Sequence, residues 1–307
     1  MGGKGVTFWL AEHPAIVGFR WSPEKSWGST WSFLISSIAL YHAAALVLHL
    51  LLHLFRRRRR PVPLGPIPAL HSLAMALTSA VIFLGILLSS LAEIRDTRWF
   101  WRRTQTSTPL HWLLCFPVGT RPSGRVFFWS YAFYLSRFLH LLRSFFSILR
   151  RRPNAFSRLF AHSALVCMSF LWLEFSQSFQ VLVILSATLA HVVVFGYRFW
   201  VGVGLPAADG AGFVVVLGCQ LAVLCCNLVC HFGVILLHFG RGGCSGIGAW
   251  LFNTVLNAAL LLIFLNFYVL KKGVVEEEED FSGSGRRIME QVRMSPAEAA
   301  VKKNKEQ

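Results

Sequence analysis

Uninterrupted apolar runs constrain this chain more than any other feature. Trp31 to Phe55 and Ile247 to Leu270 each exceed the roughly 18–20 residues that cross a bilayer as a helix. Across the 307 residues, 55% are hydrophobic and 14% charged, whereas a soluble domain keeps about a quarter of its residues charged to hold its surface in water. Hydropathy places spans near 31–55, 66–92, 126–149, 157–175, 178–203, 212–238 and 246–270. The expected fold class is therefore an all-α integral membrane protein of about seven transmembrane helices. The segment 109–118 is apolar but too short to cross, so it is expected to dip into the membrane or cap the bundle. Residues 1–30 show no basic start followed by an apolar core and a small-residue cleavage site. The first span is therefore expected to direct insertion itself.

A net charge of +16 would suggest nucleic acid in a soluble protein. Here it sits in short blocks between apolar spans: Arg56–Arg60, Arg150–Arg152, and Lys271 with Lys272. No basic face with interleaved aromatics remains, so no nucleic-acid partner is expected. Basic loops stay cytosolic, and all three blocks fall on one side if the helices alternate. That places the N-terminus in the lumen and the C-terminus in the cytosol. Arginines 95, 98, 102 and 103 in the opposite loop run against this bias, partly offset by Glu93 and Asp96. Residues 1–30 then form a lumenal segment, 31–271 the seven-helix domain, and 272–307 a disordered cytosolic tail containing the acidic run Glu276–Asp280. The tail ends with Lys303 and Lys305. These resemble the dilysine retrieval signal of endoplasmic-reticulum membrane proteins and equally suit a solvated lysine-rich end. Cys115 and Cys244 both fall in lumenal loops, and the oxidising lumen makes them a candidate disulfide.

Ionisable groups inside hydrocarbon cost a few kcal/mol each, so they face a cavity or a partner. Arg137, His140 and Ser144 are spaced three and four apart and share one helical face, with Arg143 beside them. Arg158 and His162 are four apart in the fourth span. His191 lies in the fifth span, with Tyr197 and Arg198 near its cytosolic end, where Arg198 is read as snorkelling. Gln220 and Asn227 lie in the sixth. His140, His162 and His191 are expected to line one polar cavity. The other span histidines, His42, His49, His53 and His71, are read as interhelical or interfacial. No span sets a close histidine pair beside a carboxylate, so no metal site is expected.

The stretch Phe128-Trp129-Ser130-Tyr131-Ala132-Phe133-Tyr134-Leu135-Ser136-Arg137 resembles the plant ELO pattern FFW-x-x-x-FYLSK. Leu110-His111 with Cys115-Phe116-Pro117-Val118 resembles its LH-x-x-x-CFPV, and Phe170-Leu171-Trp172-Leu173 its YLWL. His191-Val192 with Gly196-Tyr197, Cys219-Gln220, and Gly243-Cys244-Ser245-Gly246-Ile247 follow in the same order. The chain thus resembles the ELO family of fatty-acid elongases over residues 7–270.

That resemblance implies seven helices, six of them forming a barrel around an acyl tunnel. It implies condensation of malonyl-CoA with a long acyl-CoA to a 3-oxoacyl-CoA two carbons longer, without a bound cofactor. The implied partners are acyl-CoA, membrane lipid and the ketoacyl reductase, dehydratase and enoyl reductase of the elongation cycle; a homodimer is compatible with it. The family's H-x-x-H-H box falls on Arg158, Ala161 and His162, so one histidine of three remains. The family's K-x-x-E-x-x-DT falls on Arg137, His140, Arg143 and Ser144, and its next-span histidine on His191. His162 and His191 are therefore the implied catalytic positions. Arg137, His140, Arg143, Arg158, Tyr197 and Gln220 are the implied substrate-binding ones. Two readings stand together: a condensing enzyme, or a catalytically inactive relative that binds acyl-CoA or scaffolds the elongation complex. A transporter is a remote third, since no inverted internal repeat is visible.

Overall fold

The computed structural model of the protein describes residues 5–55, 62–97, 108–151, 155–206, 211–240, 242–263 and 265. The Arg56–Arg60 block, Lys271, Lys272 and the whole of 272–307, with Lys303 and Lys305, lie outside them. The chain divides into two units, Met1–Leu256 and Asn257–Gln307; all packing described belongs to the first.

A π-helical turn Phe8–Glu12 and a short α1 (Pro14–Val17) precede the long helices. These are α2 (Trp31–Phe55), α3 (Ile67–Thr97), α5 (Arg125–Leu149), α6 (Ala155–Glu174), α7 (Gln180–Gly202), α8 (Ala211–Gly240) and α9 (Ile247–Ile263). The apolar segment 109–118 forms only the short α4 (Pro109–Leu114), capped by Thr108, whose hydroxyl accepts from the His111 amide. The described residues contain no strand beyond an isolated bridge between Arg20 and Ser123. The protein is thus an all-helical, multi-pass membrane protein.

Five helices, α2, α3, α6, α7 and α8, are long and apolar enough to cross a membrane. The expected third span, α5, is equally long at 25 residues, but Arg137, His140 and Arg143 interrupt its apolar character. It packs against α2, α3, α6 and α7, burying Phe133, Arg137, His140 and Ser144 along one stripe. Only a helix shielded from lipid can carry that stripe. Packing runs in sequence α6–α5–α3–α7–α8, with α2 set against α5 and α6. Exposed large apolar residues such as Leu40, Leu77, Val229 and Leu236 coat the outside, as a bilayer-facing surface requires.

One end of the bundle is knotted. Trp129 Nε1 donates to the Leu10 carbonyl (2.8 Å), and Ser89 Oγ donates to the same oxygen (3.1 Å). Tyr134 Oη donates to Gly28 O (2.8 Å), and Trp21 Nε1 to Glu174 (3.0 Å). Residues 5–30 are therefore a structured cap on α3, α5 and α6. Arg125 pairs with Asp96 (3.1 Å) and Glu93 (3.7 Å) at the same end. Cys115 and Cys244 form a disulfide there. Beside it, Ser245 N donates to Phe116 O (2.8 Å), and Ser178 Oγ donates to Ser245 O (2.9 Å) while accepting from Phe116 N (3.1 Å). Gly246 makes this closeness possible: at φ +71°, a Cβ would come within 2.7 Å of Phe175 O.

Gly85 performs the same service inside the bundle. A Cβ on it would lie 2.1 Å from the Trp129 indole, which cannot swing away without losing its bond to Leu10. Gly85→Ala is expected to lower the melting temperature of the detergent-solubilised protein by several degrees, at a cost of about 1–3 kcal/mol. Adding Trp129→Phe should cost less than it does alone. An unchanged melting temperature for Gly85→Ala would show that the α3–α5 contact is looser than described.

Candidate functional site

Each of three helices contributes an imidazole to one place. His140 (α5) lies 4.8 Å from His191 (α7) and 6.3 Å from His162 (α6), ring centre to ring centre. At 1.5 Å per residue, they sit roughly 10–16 Å from the 149–155 and 202–211 ends of their helices, far from the knotted end. Helical periodicity explains the meeting. On α5, residues 133, 137, 140 and 144 repeat at four, three and four, and all are buried. On α7, residues 184, 188, 191, 195 and 198 repeat the same way, carrying His191, Phe195 and Arg198 on one stripe.

Cations surround the rings. Arg137 is buried at 3% exposure. Its Nη2 donates to His191 Nδ1 at 3.4 Å, and its guanidinium lies 3.9 Å over the Phe133 ring. Phe133 in turn stacks on Trp172 at 5.8 Å. Arg143 and Arg198 both approach Phe195 at 5.7 Å. Arg158 Nη1 donates to Ser147 Oγ at 3.1 Å, joining α6 to α5. From Arg125 to Gly202 the sequence holds a single acid, Glu174, and its carboxylate accepts from Trp21. The cluster is therefore positive, and its natural complement is an anion.

Arg137 also fixes a tautomer. A guanidinium has only donors, so His191 Nδ1 must accept, and the proton of the uncharged ring lies on Nε2. Three buried nitrogens in the cluster have no hydrogen-bond partner among the described residues: Arg137 Nε, His140 Nε2 and His162 Nδ1. Buried polar atoms are ordinarily satisfied, so these three are free to meet polar groups of a ligand. Among the described residues no group of three histidine, cysteine or acidic side chains is set to hold a metal ion.

Of the residues singled out in the sequence, Arg137, His140, Arg143, Arg158, His162 and His191 gather here. Two do not. Gln220 is exposed on α8; the inward stripe of that helix runs through positions 216, 219, 223, 226 and 230, and Gln220 points one residue, about 100°, off it. Tyr197 packs its ring on Gly212 at the start of α8, because it stands beside the His191–Phe195–Arg198 stripe rather than on it. Cys115 and Cys244 lie at the knotted end, away from the rings. The sequence reading missed Phe133, Phe195 and Arg198. Extending the 191–195 spacing to 198 identifies the last two; nothing in the spacing of Phe133 distinguishes it from packing. Two of the remaining span histidines make interhelical bonds: His71 Nε2 meets Leu139 O at 3.0 Å, and His42 Nε2 meets Ser163 Oγ at 3.5 Å.

The profile of the GNS1/SUR4 (ELO) family matches residues 26–272. "Fatty acid elongase 3-like" of Arabidopsis thaliana is 63% identical over 266 residues, covering 87% of this chain and 91% of that protein. "Fatty acid elongase A" of Dictyostelium discoideum is 24% identical over 265 residues, covering 83% and 88%. No solved structure matches. The match takes in α2 to α9 and with them every residue of the histidine–arginine cluster: this chain belongs to the ELO family of fatty-acid elongases.

Proposed function

We propose that this protein catalyses the condensing step of fatty-acid elongation, joining malonyl-CoA to a long-chain acyl-CoA and releasing carbon dioxide and CoA. The observation that carries this reading is the meeting of His140, His162 and His191 within one arginine-lined cluster, inside an elongase-family scaffold. A thioester needs a nucleophile for its carbonyl carbon, a donor for the developing oxyanion, and positive charge for the CoA phosphates. Imidazole nitrogens can supply the first, the His191 Nε2 proton the second, and Arg143, Arg158 and Arg198 the third. An acyl chain would then run from the cluster into the apolar interior.

The cell would present CoA from the side where α6 begins. Arg150 and Arg151 stand at that end, and the disulfide stands at the other. This supports a cytosolic mouth and an oxidising, lumenal knot, hence the endoplasmic-reticulum membrane with Lys303 and Lys305 as a retrieval signal. The reductases and dehydratase of the cycle would be neighbours there.

Arg158 and Ala161, standing where the family's box carries histidines, favour a second reading, acyl-CoA binding without condensation. Malonyl-CoA incorporation by the purified protein, given a long-chain acyl-CoA, separates the two. The proposal predicts incorporation that falls at least about 100-fold in His191→Ala. No incorporation with acyl-CoA still bound would establish the binding protein instead.

Arg137 distinguishes function from stability. Among the described residues its guanidinium is buried without a carboxylate, which costs folding free energy that a ligand's anion can offset. Arg137→Met is expected to raise the melting temperature of the ligand-free protein while weakening acyl-CoA binding by about tenfold, about 1.4 kcal/mol. A lower melting temperature with unchanged affinity would assign Arg137 to packing alone.

A further inference from the structure

We propose that His140 is the residue that takes the acyl group, an inference that rests on the condensing reaction proposed above. Four features of the cluster single it out.

First, α6 brings only one imidazole to the cluster, because its neighbouring positions are Arg158 and Ala161. An arginine is permanently protonated and an alanine has no reactive atom. Cys167 is five residues beyond His162, about 140° around α6, and faces away from the rings. Second, His191 is committed. Its Nδ1 accepts from Arg137 and its Nε2 carries the proton, so it can donate to an oxyanion but offers no lone pair. Third, the nitrogen buried without a partner on His140 is Nε2, the ring atom farthest from the backbone, whereas on His162 it is Nδ1, crowded by the side chain's own Cβ. Fourth, His140 is the central ring. It touches His162, His191 and Phe195, the last at 5.3 Å, and its Nε2 is shielded from solvent. Shielding from water protects an acyl-imidazole from hydrolysis.

The chemistry balances. His140 Nε2 attacks the thioester carbonyl carbon, an N–C bond forms and the C–S bond breaks. The proton on Nδ1 passes to the departing thiolate, so CoA leaves as the thiol and a neutral N-acyl imidazole remains. Malonyl-CoA then loses carbon dioxide, and the electron pair of the broken C–C bond attacks the acyl carbon. The C–N bond breaks, and a proton from water restores the imidazole. The nucleophile thus stands on α5, beside an α6 that keeps one of the three histidines of the family's box.

The test is a single turnover without malonyl-CoA. The purified full-length protein is mixed with stearoyl-CoA, free CoA is followed with a thiol reagent, and the intact protein is weighed by mass spectrometry. The wild type is expected to release about one CoA per chain in a burst and to gain one stearoyl group, found on the peptide containing His140. Cys167→Ser should do the same. His140→Gln should lose both signals at least about 100-fold while retaining its melting temperature and stearoyl-CoA binding. An adduct mapped to His162, or a burst that survives in His140→Gln, overturns the inference. Condensation by the wild type without a burst also overturns it, leaving the condensing function intact. Neither burst nor condensation in a wild type that binds stearoyl-CoA overturns the condensing function, and this inference with it.

Discussion

A guanidinium buried in the middle of a membrane helix organises this molecule. Arg137 cannot discharge and cannot reach water, so the surrounding protein has to accommodate it. It is accommodated from two sides: Phe133 offers its ring face, and His191 offers Nδ1 across the α5–α7 gap. The first holds the guanidinium along α5 itself, and the second, crossing to α7, sets the rotation of one helix against the other. With that rotation fixed, His140, one turn further along α5, meets His191 and His162. The same interaction determines which nitrogen of His191 carries a proton, so a structural contact also sets the chemistry of the neighbouring ring.

The two ends of the bundle are built for different tasks. At one end the N-terminal residues, the Arg125 ion pairs and the Cys115–Cys244 bridge fasten α3, α5, α6 and the turns around 115, 178 and 245 together. Among the described residues the other end is joined by fewer such bonds, among them Arg151 Nη2 to Leu52 O (2.7 Å) and Val62 N to Leu149 O (3.2 Å). A fastened end resists opening, while sparse bonds can yield to a large substrate. The cluster lies toward the less fastened end, where an acyl-CoA would arrive.

Much of this was legible in the chain itself. The long helices appear in the sequence as apolar runs, and the 137–140–144 spacing alone puts a polar stripe on α5. Three histidines in successive spans read as neighbours, and their rings do meet. Other features were hidden for physical reasons. Near-uniform apolarity along α8 gives no moment to orient it, so the family resemblance alone put Gln220 at the site, and packing turns it out. Arg198 lies close enough to a helix end to suggest snorkelling, yet it approaches the inward face of Phe195. Phe133 looks like any core aromatic until the guanidinium above it is seen. Tyr197 shared a motif with His191 without sharing its face, which shows that adjacency in a motif is weaker evidence than helical phase.

If acyl-CoA reacts at the meeting point of α5, α6 and α7, a structure with a non-reactive thioether analogue of stearoyl-CoA will show it. The thioether sulfur and adjoining carbon are expected beside His140 and His191, the phosphates among Arg143, Arg158 and Arg198, and the acyl tail running toward the disulfide end. An analogue seated elsewhere, with the three histidines still packed on one another, would contradict it.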